Sequence, residues 1–460
     1  MVDRTNNEML FHLNDKPPIH LSMFVAFQHL LAVFGGIITA PLIMAMGMGL
    51  SIEDTSYFVS SSLVVSGVAT FIQIRKFGPL GSGLLSIQGT SFTFIGPIIS
   101  AYFILIEGHS PESALGIIFG TCALCAVFVG VMGQFIERIQ TVLTPNVTGT
   151  TVILIGSSLV WTTIKNLSRE VVSVSEENGN IWFVILLAVF VFSVSFYFSR
   201  HKNALFRTLS ITLGLLLGSV IAYFFGMLPF DELKGLDRFF VPEFYRFPLS
   251  FDVHLFVVLL PVFIISSVET VGDLTATSKL SGVSLGSKEY WGRIRGGISG
   301  DAFNSFVAAL FCTFPNTSFS QNNGVIRLTG VSSRYVGRIV ALMLCVLGLF
   351  PIVGGLFVII PGSVLYGATL LMFIMVVISG LSIIRSYLDQ DTKAWWVVIP
   401  SLIVGWGLPV LVGRIHFLPD YLSNFFSFPI STGAVAAIVL ELIRHSISKK
   451  IWSSRHRRSL

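Results

Sequence analysis

The sequence predicts an all-α membrane protein of about fourteen transmembrane segments, and three observations carry that expectation. Charge is sparse: 12% of the 460 residues are Asp, Glu, Lys or Arg, while 53% are hydrophobic. A soluble fold carries roughly a quarter charged residues, and two or three soluble domains of this total length would need far more polar surface than the chain offers. Apolar runs of about 20 residues, the length that crosses a hydrocarbon core of about 30 Å, recur along the chain. Basic residues, finally, fall on one side of the topology those runs define.

The runs lie near residues 20–47, 57–74, 84–105, 114–135, 144–163, 181–199, 208–228, 254–273, 296–313, 317–331, 336–357, 361–384, 395–412 and 430–446. The tenth is short and polar at its start. With fourteen spans, both termini share a side with the even-numbered connections. That side holds 23 of the 29 Lys and Arg residues, among them Arg75, Lys76, Arg200, Arg293 and Arg334. The other 6 are Lys165, Arg169, Lys234, Arg238, Arg246 and Arg414, accompanied by the acids Glu53, Asp54, Glu107, Glu112, Glu176, Glu177, Asp231 and Glu232. The positive-inside rule then sets both termini in the cytoplasm of a multi-pass protein in the cytoplasmic (inner) membrane.

The first 18 residues have neither a basic n-region nor a cleavable apolar core, so no signal peptide is expected. Lys449, Lys450, Arg455, Arg457 and Arg458 read as a membrane-surface anchor rather than a nucleic-acid face, since the aromatic residues are mostly Phe inside apolar runs. Cys122, Cys125, Cys312 and Cys345 all lie in apolar runs. Cys122 and Cys125 form a C-x-x-C without a second pair, and read as small packing residues rather than a metal or redox site.

The two halves resemble each other. Ser86 to Pro97 (SIQGTSFTFIGP) and Phe314 to Val325 (FPNTSFSQNNGV) are polar, Gly- or Pro-bearing stretches in apolar surroundings, and both contain Thr-Ser-Phe. Pro145 with Gly149, and Pro361 with Gly367, open an apolar helix in each half. Seven spans per half make the repeat inverted, an arrangement that places sites at the pseudo-symmetric interface. Backbone that leaves helix at membrane depth must be buried or line a cavity, so short extended pieces at 88–92 and 316–321 are expected to frame a central polar site.

Three carboxylates fall inside apolar spans: Glu269, Asp273 and Asp301. An ionised group at mid-bilayer costs about 2.5–3.5 kcal/mol on insertion scales. Glu269 and Asp273, four apart, share a helix face, and no Lys or Arg inside spans eight or nine neutralises them. At least one is therefore a candidate proton carrier; a helix-end acid touching headgroup water is the plainer reading and suits Asp273 better than Glu269. Gln321, Asn322 and Asn323 are three adjacent amides before Gly324. A Gln offers both donor and acceptor, and beside a carboxylate it can read the edge of a planar heterocycle. His29, midway along the first span, is a proton relay or a tie between helices, the tie being favoured. Phe92 and Phe94 can stack on a flat ligand. Arg327 is expected to reach water.

These residues resemble a known family. Gln321-Asn322-Asn323-Gly324, four residues, then Thr329-Gly330 fits the pattern Q/E/P-N-x-G-x4-T-R/K/G of the nucleobase–ascorbate transporters. Ser267 to Thr277 (SVETVGDLTAT) is similar to that family's eighth span, Gln88 to Phe92 (QGTSF) to its third, and Gln28-His29 to its first. The resemblance runs from about His20 to Arg444, and Phe314 to Phe319 with Gln321 to Gly337 look like bacterial xanthine permeases.

The resemblance implies seven plus seven inverted spans with short antiparallel strands in spans three and ten. It implies a core domain (20–135 and 254–357) and a gate domain (136–228 and 358–446). A cytoplasmic segment at 1–19, an extracytoplasmic loop at 229–253 and a basic cytoplasmic tail at 447–460 complete the chain. It implies proton-coupled uptake of an oxidised purine, xanthine first and uric acid next, by a homodimer that moves core against gate, with no cofactor beyond the proton. The base-binding residues would be Glu269, Gln321, Ser91, Phe92 and Phe319. The coupling network would be Asp301, Asp273, Asn322 and His29, and Asn323, Gly324, Thr329 and Gly330 complete the signature. Ser91 departs from the Asn of some xanthine permeases; its small hydroxyl leaves room for a bulkier base.

Four other functions fit these residues less well. An anion exchanger on the same architecture would need a positive site and normally a soluble C-terminal domain, which is not expected after span fourteen. A uracil-type carrier would tend to have Glu at position 321, and a channel has less use for an acid beside a reading amide. No H-E-x-x-H, G-x-S-x-G or phosphate loop supports an enzyme.

Overall fold

The computed structural model describes residues 9–135, 144–176, 179–236, 238–388, 394–412, 426 and 428–457. Asp3, Glu8, Glu177, Arg414 and the side chains of the basic tail lie outside the described residues. The helices are α1 (Ile19–Gly47), α2 (Ile52–Arg75), α3 (Ile95–Leu105), α4 (Pro111–Gly133), α5 (Pro145–Glu176), α6 (Ile181–Ser199), α7 (Ala204–Thr208), α8 (Ser210–Phe224), α9 (Val253–Leu280), α10 (Lys288–Leu310), α11 (Gln321–Thr329), α12 (Arg334–Gly348), α13 (Pro351–Val358), α14 (Gly362–Leu388), α15 (Trp395–Val412) and α16 (Pro429–Arg457). Two three-residue strands interrupt them, β1 (Gln88–Thr90) and β2 (Asn316–Ser318), and a 3-10 turn (Phe92–Phe94) separates β1 from α3.

Every apolar run in the sequence falls on one or more of these helices. Among the described residues, eight are long and apolar enough to cross a membrane, or nine if α12 and α13, bent by 75° at their break, form one span. Their outward faces carry the large apolar side chains a lipid-facing surface requires: Trp182, Leu186, Phe224, Trp396 and Ile403 are each more than half exposed. The helix ends differ from the sequence reading where polar residues continue a helix. α9 runs on to Leu280, and α10 starts at Lys288, its first turn capped by the Ser287 hydroxyl accepting from the Tyr290 N–H.

The chain divides into two compact units, Met1–Gln134 with Thr162–Met372, and Phe135–Trp161 with Phe373–Leu460. In the first, α2 packs against α1, α10, α12, α13 and β1. Its buried Ser56, Ser60, Ser61, Ser62 and Ser66 keep that face narrow, as small residues do between membrane helices. At Gly67 a Cβ would come within 2.6 Å of the Ala341 carbonyl oxygen, so α12 lies directly on the α2 backbone. The second unit is mainly apolar, with Val147, Val397 and Ala437, and separately Ile153, Ile384 and Val398, packed together. Its buried Glu441 pairs with Arg444 and lies near the Asn146 amide.

Candidate functional site

The site is built on the two interrupted segments of the first unit. β1 and β2 pair antiparallel, with Gln88 opposite Ser318, Gly89 opposite Thr317 and Thr90 opposite Asn316. The ladder extends by one bond at each end, Ser91 N–H to the Pro315 carbonyl at 2.9 Å and Phe319 N–H to the Ile87 carbonyl at 2.9 Å. An isolated two-stranded ribbon this short has no stability of its own, and surrounding helices hold it. On one side the Thr70 hydroxyl accepts from the Gln88 N–H at 3.0 Å, and the Ser62 and Thr90 hydroxyls meet at 2.6 Å. On the other, Ser305 on α10 accepts from the Asn316 N–H at 3.0 Å and donates to its carbonyl at 3.1 Å.

Gly89 is there for space. A Cβ on it would stand 2.5 Å from Cε2 of Phe319 and 2.7 Å from Cγ1 of Ile37. The Phe319 ring therefore lies on the bare backbone of β1, with the half-buried Phe92 ring 5.9 Å away between centroids. Ser91 is fully buried beside them, and its hydroxyl has no hydrogen-bond partner among the described residues.

α9 packs against β2, the 3-10 turn and α11, and brings the acids to this place. Glu269, half-buried, accepts from the Thr93 hydroxyl at 3.2 Å. Asp301 on α10, 7% exposed, accepts from Gln73 Nε2 on α2 at 3.1 Å and from the Thr270 hydroxyl. The Gln88 side chain and the Ser318 backbone also turn toward it. Asp273, half-buried, stands close enough to Glu269 and Asp301 for the three carboxyl groups to interact electrostatically. Among the described residues no Lys or Arg pairs with any of the three.

The signature is α11 and its end. Gln321 is its first residue, half-buried, on the element that packs against the helix of Glu269. Asn322 donates to the Leu85 carbonyl, and Asn323 Oδ1 accepts from the Thr277 hydroxyl at 2.7 Å, joining α11 to α9. The Thr329 hydroxyl donates to the Val325 carbonyl at 2.9 Å. Gly330 ends the helix in the left-handed region, with φ 66°, and its carbonyl accepts from the N–H groups of Leu10 and Phe11 at 2.8 and 3.1 Å. Gly324 has open space around it, and nothing in the structure explains a glycine there. His29 on α1 is fully buried and faces Asn322, although neither ring nitrogen closes a hydrogen bond of normal geometry. Arg327 is exposed, and Cys122 and Cys125 are buried free thiols.

The structure thus gathers Glu269, Asp273, Asp301, Ser91, Phe92, Phe319, Gln321, Asn322 and His29 around one strand pair. Glu269 and Gln321 stand on packed elements of the same unit. Three buried polar atoms here are unpartnered among the described residues: Gln88 Oε1, Ser91 Oγ and Asn322 Oδ1. Buried polar groups are normally paired, so unpartnered ones gathered at one place leave hydrogen-bonding capacity for a polar ligand or for water. Sequence reasoning passed over Gln73, Thr93, Thr270 and Thr277. Each is a neutral polar residue, Thr93 in the 3-10 turn and the others in helices, where a Thr can also satisfy itself on the preceding turn, as Thr270 does on the Ser266 carbonyl.

Comparison with known proteins supplies the family. Residues 20–413 match the family model described as Permease family, Xan_ur_permease. The chain is 40% identical over 440 residues to the xanthine permease XanP of Escherichia coli K12, covering 95% of each chain. It is 33% identical over 443 residues to the xanthine permease XanQ of the same organism, covering 96% of this chain and 95% of that one. It is 31% identical over 450 residues to a uric acid-xanthine permease of Emericella nidulans, covering 90% and 76%. Among solved structures, the transmembrane domain of a cyanobacterial bicarbonate transporter, BicA, shares the fold, with a TM-score of 0.53 at 14% identity over 93% of this chain and 99% of that one.

Proposed function

This chain belongs to the permease family matched over residues 20–413 and is a multi-pass membrane transporter; from that premise we propose that it takes up an oxidised purine base together with a proton. Xanthine is the first substrate and uric acid the second. Glu269 accepts a ring N–H of the base, and the Gln321 amide reads the neighbouring donor and acceptor, while Phe92 and Phe319 stack on its face. A site built to hydrogen-bond a ligand rejects analogues lacking the matching groups, because its own buried groups would then be left unpaired. Asp301, Asp273, Asn322 and His29 form the coupling network behind the base. The alternating motion belongs to a core and a gate, with fourteen spans in two inverted sets of seven, cytoplasmic termini in the inner membrane, and a homodimer as the working assembly.

The observation that carries this reading is the strand pair itself. It sets a carboxylate helix, an amide-bearing half-helix and a Phe ring around unpartnered buried polar atoms. The names of the 40% and 31% identical relatives support the substrate class. The anion-exchanger alternative rests on fold likeness alone, and three carboxyl groups that no Lys or Arg pairs with among the described residues make a poor anion site.

Radiolabelled xanthine uptake by cells expressing the chain, at two external pH values, tests it. Urate, hypoxanthine, guanine and uracil serve as competitors. Uptake is expected to rise at the lower external pH, with urate competing and uracil not. Equal competition by uracil would overturn the purine assignment, and uptake indifferent to pH would overturn the proton.

A further inference from the structure

Asp301 is surrounded by donors, and they are not equivalent. Gln73 is fully buried near the end of α2, and its amide has one possible orientation. Its Oε1 accepts from the Ser82 N–H at 3.3 Å, while Nε2 donates to the Gly297 carbonyl at 3.2 Å and to Oδ1 of Asp301 at 3.1 Å. A flipped amide would set an oxygen against two acceptors and a nitrogen against a donor, so the hydrogen-bond network fixes the assignment. Gly300 makes the reach possible, since a Cβ there would lie 2.3 Å from that Oε1. The Gln88 side chain and the Ser318 backbone also face Asp301. An amide N–H has no lone pair and cannot accept a bond back from a protonated acid.

Thr270 differs from these amides: among the described residues it is the hydroxyl bonded directly to the carboxylate. Its hydroxyl lies against Oδ2 of Asp301, 3.2 Å from the Ser266 carbonyl one turn earlier on α9, and 3.3 Å from the Thr317 hydroxyl on β2. A hydroxyl is both donor and acceptor and rotates to suit. With Asp301 ionised, Thr270 donates to Oδ2 and can accept from Thr317. With a proton on Oδ2, that O–H donates to Thr270 Oγ1, and the Thr270 hydrogen turns to the Ser266 carbonyl. One proton is added to the carboxylate, none is transferred from Thr270, and no bond in the network is lost.

From this we infer that Thr270 and Gln73 are positioning residues for Asp301: Gln73 fixes Oδ1 as an acceptor, and the reversible Thr270 hydroxyl makes Oδ2 the oxygen that can take up and release the symported proton. This rests on the proton-coupled reading above and names the oxygen and the partner that reading leaves open. Thr270 directly follows Glu269 and its hydroxyl touches β2, so the protonation state of Asp301 reaches both the acid that meets the base and the strand leading to Gln321. Among the described residues, the titratable groups that act on Asp301 are Glu269 and Asp273 on α9. α2 brings it the Gln73 amide, and the strands bring the Gln88 side chain and the Ser318 main chain.

The test uses Thr270→Val, which keeps the shape and removes the hydroxyl, Thr270→Ser, which restores it, and Gln73→Met, which removes the amide at similar size. Each full-length variant is assayed for xanthine accumulation driven by an imposed pH gradient, and for xanthine binding to membranes at fixed pH. Thr270→Val is expected to lose accumulation by about tenfold or more, the scale of one hydrogen bond to a charged group, while binding changes by less than about threefold. Thr270→Ser is expected to regain most of the accumulation, and Gln73→Met to shift the pH at which uptake is half-maximal. Val and Ser variants that fail alike would show that restoring the hydroxyl does not restore coupling, and overturn the inference. So would a Val variant that accumulates as wild type does, or an unshifted pH profile in Gln73→Met. A wild-type chain whose uptake ignores pH would overturn the proton reading and this inference with it; the other failures overturn this inference alone.

Discussion

The two interrupted segments meet in one strand pair but contribute differently to it. The first, through β1, gives backbone and space: Gly89 seats the Phe319 ring, Ser91 is buried, and the 3-10 turn leads to α3, whose residues are almost all apolar. The second, through β2, goes almost directly into α11 and its three amides, which tie to α9, to Leu85 and toward His29. Two similar backbone excursions thus divide the work. The lesson is that two similar excursions can share one crossing geometry while the polar side chains gather on one of them and on the helix facing it.

The largest effect should come from that facing helix. Glu269→Gln is expected to lower xanthine uptake by at least about 100-fold, because an amide at that place can donate as well as accept, and a mispaired buried group forfeits its full desolvation cost. Thr93 is the first segment's hydrogen-bond contact to the same carboxylate, at 3.2 Å. Thr93→Val is expected to cost only about tenfold, one bond to a charged group. Uptake assays that ranked Thr93→Val as severe as Glu269→Gln would break the division between the two segments.

Space gives the next test. Gly89→Ala would force a methyl to 2.5 Å from Phe319, and overpacking of this kind costs about 1–3 kcal/mol. Gly324→Ala meets nothing within 4 Å and should change stability by no more than about 0.5 kcal/mol. Thermal unfolding in detergent separates the two. A neutral Gly89→Ala would mean that the Phe319 ring moves easily off β1. Ser305→Ala, which removes the hydroxyl bonded to both main-chain groups of Asn316, should lower stability by about 1–2 kcal/mol.

Legibility in the sequence follows the same division. The strand pair can be read from Ser86–Pro97 and Phe314–Val325, because polar residues with Gly and Pro in an apolar setting cannot simply continue a membrane helix. The acids and the amide run stand out for the same energetic reason. Helix ends are harder. KEYWGRIR at the start of α10 is polar and reads as loop by hydropathy, although Ser287 before it caps a helix. The partners of the acids are hardest of all: Gln73, two residues before Arg75, looks like a helix end meeting water, and only the packing of α2 on α10 turns its amide inward onto Asp301. Spacing along one helix cannot reveal a pairing made between two.

Ser91 sharpens the comparison most finely, because it is the place where the first segment can touch selectivity. Its side chain is fully buried, its N–H is committed to the Pro315 carbonyl at 2.9 Å, and its hydroxyl has no partner among the described residues. A larger amide there must take space from the ligand side, since the backbone behind it is held by the strand ladder. Ser91→Asn is therefore expected to leave xanthine uptake within about twofold while weakening competition by urate, the bulkier base, by about 10-fold, the scale of a methylene-sized misfit in a packed pocket. Competition curves for urate against labelled xanthine measure that ratio directly. If urate and xanthine weakened together, the first segment would be acting through the shape of the strand pair alone, and the selectivity between the two purines would have to reside on the α9 and α11 side.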